Sequence, residues 1–240
     1  MTNPFRIALE RRDRLSPEEA AVIDRLIDRR PVPVPAGTDL VRDGERPEHS
    51  TLMLSGFSAR YNVLNDGKRQ ISAVHVPGDF VDLHSLLLDP MDHSVLALTD
   101  SQVVQVPHAR LRELTETHPH LTRLLWTLTV IDAAIFRQWL VASGHLPAVA
   151  QIAHFFCELW TRLSAVGLAA ENSFDLPISQ ADLGDAMGRS AVHVNRCLMA
   201  LRRERLLDWT GGRAKILDWG GLQARAEFDA AYLSLEPYPR

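Results

Sequence analysis

The chain has 240 residues, of which 46% are hydrophobic and 23% are charged, and its formal net charge is −4 at pH 7. These proportions are typical of a globular protein long enough for two domains. No apolar run approaches the roughly 18–20 residues that span a bilayer, and the first residues lack the apolar core of a signal peptide. The two cysteines, Cys157 and Cys197, are too few for a four-thiolate iron–sulfur or zinc site. We therefore expect a cytoplasmic protein with no membrane contact.

The first predicted helix begins after Ser16. The sequence Ser-Pro-Glu-Glu from Ser16 to Glu19 supplies an N-cap, a proline at the first helical position and a glutamate three residues after the cap. The helix ends before Pro31–Pro35, where alternating prolines exclude a helical backbone.

From Val34 to about Val106, short apolar runs alternate with turns, and glycines recur at positions 37, 44, 56, 67 and 78. Asn65–Lys68 reads Asn-Asp-Gly-Lys, which is typical of a hairpin tip. The predicted strands are Thr51–Leu54, Phe57–Val63, Gln70–Val76 and Ser101–Val106. This rhythm predicts a small antiparallel roll or barrel.

A long helix is predicted from about Pro119 to Ser143, because apolar residues recur there at alternating steps of three and four. The stripe consists of Leu121, Leu124, Leu128, Ile131, Ile135 and Ala142, and Gln138 interrupts it between the last two. An apolar seam on so long a helix is typical of a coiled-coil-like dimer contact. Packing against the chain's own β-roll is the alternative. Gly144–Pro147 then breaks the helix and resembles a hinge.

A further predicted helix, about Ala148 to Val166, leads to a helix–turn–helix pattern in residues 179–205. A short helix runs to about Met187, Gly188 breaks it, and Ser190 can cap a second helix. Apolar residues can pack the two helices together: Leu183, Ala186, Met187, Val194, Leu198 and Leu201. In this arrangement the second helix enters the major groove of DNA.

A predicted hairpin follows the second helix. Asp208–Thr210 and Arg213–Leu217 are short runs joined by Gly211 and Gly212, both of which can take positive φ. A hairpin in this place is the wing of a winged helix. Between residues 179 and 215 there are seven Arg or Lys and four Asp or Glu, so this segment is basic although the whole chain is acidic. Local positive charge is what phosphate contact requires.

The order of β-roll, long helix, hinge and winged helix, together with Pro77-Gly78-Asp79-Phe80, resembles the Crp/Fnr superfamily of bacterial transcription regulators. The resemblance implies an α+β fold: an N-terminal antiparallel β-roll like a cyclic-nucleotide-binding jelly roll, a long dimerisation helix and a C-terminal winged helix–turn–helix. It places the β-roll domain with its N-terminal helices at 1–118, the dimerisation helix at 119–143, the DNA-binding domain at 144–219 and a tail at 220–240. It also implies a homodimer on a palindromic DNA site, a regulator that activates transcription, and contact with RNA polymerase.

Carried over position by position, the base-reading positions of the family's recognition helix fall at Ala191, Val192, Asn195 and Arg196. Arg196 is suited to a bidentate contact with guanine, Asn195 to adenine or a phosphate, and the two apolar side chains can touch only a thymine methyl. The predicted DNA-binding set is Ser179, Gln180, Arg189, Ser190, Val192, His193, Asn195, Arg196 and Arg213. For His193, a packed or solvated histidine is an equal alternative.

The sensor region departs from the family pattern. Members that bind cyclic AMP use a Glu on the ribose and an Arg-Ser pair on the phosphate, and these positions fall here on or near Leu83 and on His93-Ser94. The only charges in residues 81–99 are acidic, so we expect a pocket without arginine, formed by Asp82, Leu83, His93 and Ser94. A cyclic nucleotide and haem are each disfavoured. We expect no resident cofactor or metal, and the effector stays open.

The leading interpretation is a sequence-specific transcription regulator. A ligand-binding module whose helix–turn–helix contacts proteins is the alternative. An enzyme is disfavoured, because the sequence contains no Gly-rich phosphate loop, no GxSxG and no HExxH. Cys197 lies in the predicted recognition helix, where oxidation could block DNA binding or where the thiol could simply face the core.

Overall fold

The computed structural model of the protein describes residues 3–28, 30–88 and 90–239. Two N-terminal helices come first: α1 (Pro4–Glu10) and α2 (Pro17–Ile27). The predicted cap of α2 is confirmed as a full capping box: Ser16 accepts from the backbone N–H of Glu19, and the Glu19 side chain accepts from the backbone N–H of Ser16. Phe5 and Leu9 of α1 and Ile23 of α2 are buried against the β-roll.

Two antiparallel sheets form the β-roll. One has the order β1-β7-β3 and the other β2-β6-β4-β5. The strands are β1 (Val32–Val34), β2 (Asp39–Val41), β3 (His49–Ser55), β4 (Ser58–Val63), β5 (Arg69–His75), β6 (Ser94–Ala97) and β7 (Ser101–Pro107). All four predicted strands are confirmed within one or two residues, while β1, β2 and β6 were not predicted. A 3₁₀ helix, Leu83–Leu86, lies between β5 and β6.

Two helices follow the roll, α3 (His108–Thr117), which was not predicted, and α4 (Pro119–His145). The stripe predicted as a dimer seam lies instead against the protein's own interior. Leu121 and Leu124 pack in one core cluster with α1 and β3, and Ile131 and Ile135 in another. The alternative of intramolecular packing is therefore correct for this stripe, because α4 lies along the β-roll.

The opposite face of α4 is exposed and also apolar. Trp126, Phe136 and Leu140 are 69%, 47% and 64% exposed. By length and composition alone α4 could cross a membrane, although polar residues interrupt its apolar sequence, and 22% of its most apolar window is buried. A core helix of a soluble protein meets the same criterion. A helix that spans a bilayer is surrounded by lipid or by other membrane helices, whereas one face of α4 packs against the β-roll.

His120, near the start of α4, bridges two carboxylates, Glu19 and Asp13, at 2.7 and 3.2 Å. Partial burial opposes protonation, but these hydrogen bonds and charges outweigh it and raise the pKa of His120 above its ordinary value of 6.5. The stabilisation is therefore complete below pH 6.5 and is lost as the pH rises through the raised pKa. We expect His120→Gln to destabilise the protein more at pH 6 than at pH 9 in urea unfolding. An equal loss at both pH values would contradict this assignment.

The C-terminal half is built on α5 (Ala148–Ala165), whose Phe155, Phe156 and Leu159 are buried. Around it lie β8 (Ala169–Ala170), β9 (Ser173–Asp175), α6 (Gln180–Met187), α7 (Ala191–Arg203), β10 (Leu207–Thr210), β11 (Arg213–Ile216) and α8 (Trp219–Ala226). The predicted wing is the β10–β11 hairpin, extended into a four-stranded sheet by β9 and β8. Tyr232, in a final 3₁₀ helix, stacks on His154 of α5.

Candidate nucleic-acid interface and sensor pocket

Local capping fixes the turn between α6 and α7. Ser179 caps α6 in a capping box with Asp182, and Ser190 caps α7 by accepting from the backbone N–H of His193. Gly188 ends α6 in the left-handed region at φ 62°. A Cβ on Gly184 would lie 2.5 Å from the carbonyl oxygen of Arg189, so only glycine permits this close turn. The predicted helix–turn–helix is therefore dictated by its local sequence.

The outer face of α7 presents a free cation between apolar side chains. Val194, Cys197 and Leu201 point into the core. Val192 and Met199 are 64% and 47% exposed, and sequence reasoning did not include Met199 among the site residues. Arg196 is exposed beside them and has no hydrogen bond or ion pair with any described residue. Its five N–H donors are therefore available to a partner.

Other predicted site residues are engaged with one another or with neighbours. Gln180 and Asn195 join the two helices by a hydrogen bond of 3.3 Å. Arg213 of the wing forms an ion pair of 2.9 Å with Asp175. This pair is exposed on both sides, so it is weak enough for a phosphate to replace Asp175. Arg189 and His193 are exposed at the turn and in the first turn of α7.

An arginine of the β-roll contacts α6, the first helix of the helix–turn–helix. Arg69 of β5 contacts Asp182 at 2.5 Å and Asp185 at 2.7 Å, and the neighbouring Gln70 donates to the carbonyl oxygen of Asp185 at 2.9 Å. These contacts involve α6, at whose start Ser179 and Gln180 were predicted to face DNA. The β4–β5 hairpin therefore connects the β-roll directly to the DNA-reading unit.

Both thiols are shielded. Burial raises the pKa of Cys157 to about 12, and burial also raises the pKa of Cys197 despite the nearby positive charges of Arg189 and Arg225. Because the thiolate is the reactive form, we expect neither cysteine to react with a thiol reagent at pH 7.5 until the protein is unfolded. Rapid modification of native protein that is lost in Cys197→Ser, and that also weakens DNA binding, would instead support a redox role for Cys197.

A cavity of about 420 Å³ lies between the β-roll and α4. Of the four residues predicted to form it, Leu83 and His93 line it. Asp82 and Ser94 do not. Asp82 is fully buried beneath the 3₁₀ helix and accepts from the backbone N–H of Thr51, and burial raises its pKa to about 7. Ser94 accepts from the backbone N–H of Asp43.

The expectation of a pocket without arginine is wrong. Arg60 of β4 and Arg162 of α5 both line the cavity, and they come from segments outside residues 81–99. Both are already paired: Arg60 with Asp132 of α4 at 2.9 Å, and Arg162 with Asp79 at 2.5 Å. The pocket therefore holds arginines whose charges are compensated within the protein.

Three histidines also line this cavity: His75, His84 and His93. In each, the Nε2 atom is buried and has no hydrogen-bond partner among the described residues. Burial is the largest cause of the lowered pKa of all three, and the pKa of His84 falls to about 4. At neutral pH these imidazoles are therefore uncharged. Sequence reasoning included only His93 in the pocket.

Comparison with known proteins matches both halves of this architecture. Residues 31–118 match the family described as Cyclic nucleotide-binding domain, and residues 150–225 match the Crp-like helix-turn-helix domain. The two matches together cover most of the chain, in the order predicted from the sequence. The chain belongs to the Crp/Fnr superfamily of transcription regulators. The predicted resemblance and fold class are thereby confirmed.

Relatives support the same assignment for this Crp/Fnr protein. It is 28% identical to "Transcriptional activator protein FnrA" of Stutzerimonas stutzeri over 88% of this chain and 86% of the relative. It is 27% identical to "Transcriptional activator protein anr" of Pseudomonas aeruginosa over 85% and 83%. The structure of FixK2 from Bradyrhizobium japonicum has the same fold, with a TM-score of 0.73, 24% identity and coverage of 84% and 98%. The protein is a DNA-binding transcription regulator.

Proposed function

We propose that the protein binds a two-fold symmetric DNA site as a homodimer and is controlled through the cavity between its β-roll and α4. The exposed, unpartnered Arg196 on the outer face of α7 is the observation that carries the DNA-reading part. Val192 and Met199 beside it suit the methyl groups of thymine. Arg189, the Ser190 cap and Arg213 surround this face and are suited to phosphate contacts.

The exposed face of α4 supports the dimer. Trp126, Thr129, Ala133, Phe136 and Leu140 follow one another at steps of three and four, which is the a/d spacing of a two-stranded coiled coil. A row of exposed apolar side chains along one helix face is typical of an association surface. A second copy of the same helix offers a matching seam, so a symmetric pair would cover both. The dimer seam is therefore not the predicted stripe, but the face on the opposite side of the same helix.

We expect Leu140→Glu, alone or with Trp126→Glu, to convert the dimer to a 26.9 kDa monomer in sedimentation equilibrium. A charge at the centre of an apolar helix pair would be buried without a partner. Val63→Glu is the matched control, because Val63 is 63% exposed and Leu140 64%, yet Val63 lies on the β-roll. A monomeric wild type, or Leu140→Glu protein with the wild-type mass, would contradict the proposed seam.

The geometry disfavours a cyclic nucleotide as the effector. His93 and Ser94 stand where cyclic AMP binders have an Arg-Ser pair, and Ser94 is directed to the backbone of Asp43 instead of the cavity. The cavity arginines are held by Asp132 and Asp79. A phosphate would have to displace one of these carboxylates before it gained a bidentate contact.

Selection from a random duplex DNA pool by the purified protein, with no ligand added, tests the proposal. We expect an inverted repeat whose half-sites are read by two α7 helices. Binding should weaken steeply as salt increases, because phosphate contacts release counterions. Failure of folded, dimeric protein to select any motif would overturn binding without an effector. Weak salt dependence would favour a helix–turn–helix that contacts proteins.

Two further parts of the proposal are the location of the protein and its contact with RNA polymerase. A regulator of transcription acts where the chromosome is, so we place the protein in the cytoplasm. Relatives are named activators, which supports contact with RNA polymerase.

A further inference from the structure

His84, Asp92 and His93 form a cluster at the mouth of the cavity. One potential ligand atom from each residue lies within 4.8 Å of those of the other two. His84 belongs to the 3₁₀ helix, and Asp92 and His93 come just before β6. The rings of His84 and His93 have centroids 5.1 Å apart and are tilted by 44°. Two separate segments of the roll therefore converge at this point.

The hydrogen bonding leaves donor atoms for an ion unoccupied. His93 Nδ1 contacts Asp92 Oδ1 at 2.7 Å, which directs the proton to Nδ1 and leaves a lone pair on Nε2. That Nε2 is buried, as is Nε2 of His84, and neither has a partner among the described residues. His93 is only 7% exposed. Buried polar atoms in native proteins normally have a partner, so two unpartnered imidazole nitrogens lining one cavity indicate that a ligand belongs there.

We propose that His84, Asp92 and His93 bind a divalent first-row transition-metal ion, zinc or iron(II), with open coordination positions facing the cavity. Asp92 Oδ1 orients His93, which is the usual role of a carboxylate around such ions. Asp92 Oδ2 has no hydrogen bond or ion pair with any described residue, so it is available to the ion. Two imidazoles and one carboxylate are also the protein ligands of many zinc and non-haem iron sites that keep positions open.

The charges around the cluster are compatible with a cation. Arg60, which lines the same cavity, is paired with Asp132 at 2.9 Å. Asp92 adds one further negative charge and is largely exposed, so its carboxylate can adjust to an incoming ion.

Metal binding would link separate segments of the roll. An ion bound to all three residues would connect the 3₁₀ helix to the start of β6, because its ligands come from both segments. Asp132 and Phe136 of α4 line the same cavity, so this connection would lie beside α4. Any effect of the ion on DNA binding rests on the proposed function, whereas the metal site itself does not.

Titration of the full-length, chelator-treated protein with Co²⁺, followed by displacement with Zn²⁺, tests the site. The visible absorption of Co²⁺ reports its ligands directly. We expect one ion per protomer, a loss of affinity of at least tenfold in His84→Gln and in His93→Gln, and a loss of about 10- to 100-fold in Asp92→Asn. His145→Gln is the control, because His145 is exposed at the end of α4, away from the cavity.

Absence of saturable Co²⁺ binding, or binding equally tight in all three cluster variants, would overturn the proposal. Since Asp92 is 84% exposed, Asp92→Asn should fold normally even if a histidine variant does not, and circular dichroism of each apo protein checks this. The titration contains no DNA, so failure of the metal site is distinguishable from failure of DNA binding. Fluorescence anisotropy with labelled DNA, with and without Zn²⁺, then measures the coupling separately.

Discussion

Arg162→Met is expected to lower the free energy of unfolding by about 3–5 kcal/mol, the usual cost of breaking a buried ion pair on one side. Arg162 is 9% exposed, and its partner Glu158 is fully buried. The guanidinium contacts Glu158 at 3.1 Å and Asp79 at 2.5 Å, and donates to the carbonyl oxygen of Val74 at 3.0 Å. The substitution would leave the carboxylate of Glu158 buried without its compensating charge.

The network around Glu158 connects several parts of the chain, which is why the effect should be global. Trp139 of α4 and Tyr232 of the C-terminal 3₁₀ helix both donate to Glu158 Oε2, at 3.0 and 2.8 Å. Asp79 and Val74 belong to the β-roll, whereas Glu158 and Arg162 belong to α5. Although burial alone would lower it, the charges of Asp79 and Glu158 raise the pKa of Arg162, so it stays charged at all accessible pH values. One side chain therefore joins the β-roll to the half that contains the helix–turn–helix.

Urea unfolding measures this loss, and two further variants isolate its cause. Arg202→Met removes an arginine whose pair with Asp208 is exposed, so we expect it to cost less than about 1 kcal/mol. Glu158→Gln combined with Arg162→Met should recover part of the loss, because the buried charge is then absent. A double variant as unstable as the sum of its single variants would contradict a charge-based explanation.

The helix–turn–helix was predictable because its signals are local. Ser179, Gly188 and Ser190 each determine the backbone within four residues of themselves. The four longer strands were also visible, since turns and alternating runs separate them. The three short strands β1, β2 and β6 lack this signal, because each is defined by its partner across the sheet.

The long helix shows where periodicity stops being informative. Residues 119–145 carry apolar side chains on two opposite faces, one with Ile131 and Ile135 and the other with Trp126 and Leu140. Periodicity identifies both faces as apolar, but only the position of the β-roll decides which is covered within the protomer. Packing against the β-roll was one of the two alternatives that the sequence offered, but nothing in the sequence favoured it over a dimer contact.

The pocket was the least predictable part, because its residues come from distant segments. A pocket predicted from residues 81–99 alone could not include Arg60, His75 or Arg162, which the roll and α5 bring to the cavity. His84 lies within that window and was still missed, because a lone histidine carries no sequence signal until a second one lies beside it.

Arg196→Ala is expected to weaken specific DNA binding by about 1–3 kcal/mol, or about 5- to 150-fold, and to relax one base position in each half-site. Arg196 is an exposed arginine at a proposed base-reading position of α7, and it has no hydrogen bond or ion pair with any described residue that would have to be broken first. A bidentate contact with guanine is the interaction its fork of donors fits best. Truncation should therefore reduce affinity for the selected site more than affinity for random DNA.

Fluorescence anisotropy with the selected site, and with each half-site position changed in turn, measures both effects. Arg42→Ala is a matched control, because its side chain is 68% exposed on the β-roll and removes the same charge without altering α7. Arg213→Ala provides the contrast within the DNA-binding half: a phosphate contact should reduce the salt dependence by about one unit of slope without changing base preference. If Arg196→Ala lost affinity equally for all sequences, Arg196 would be a phosphate contact, and α7 would lie differently in the groove than its exposed face indicates.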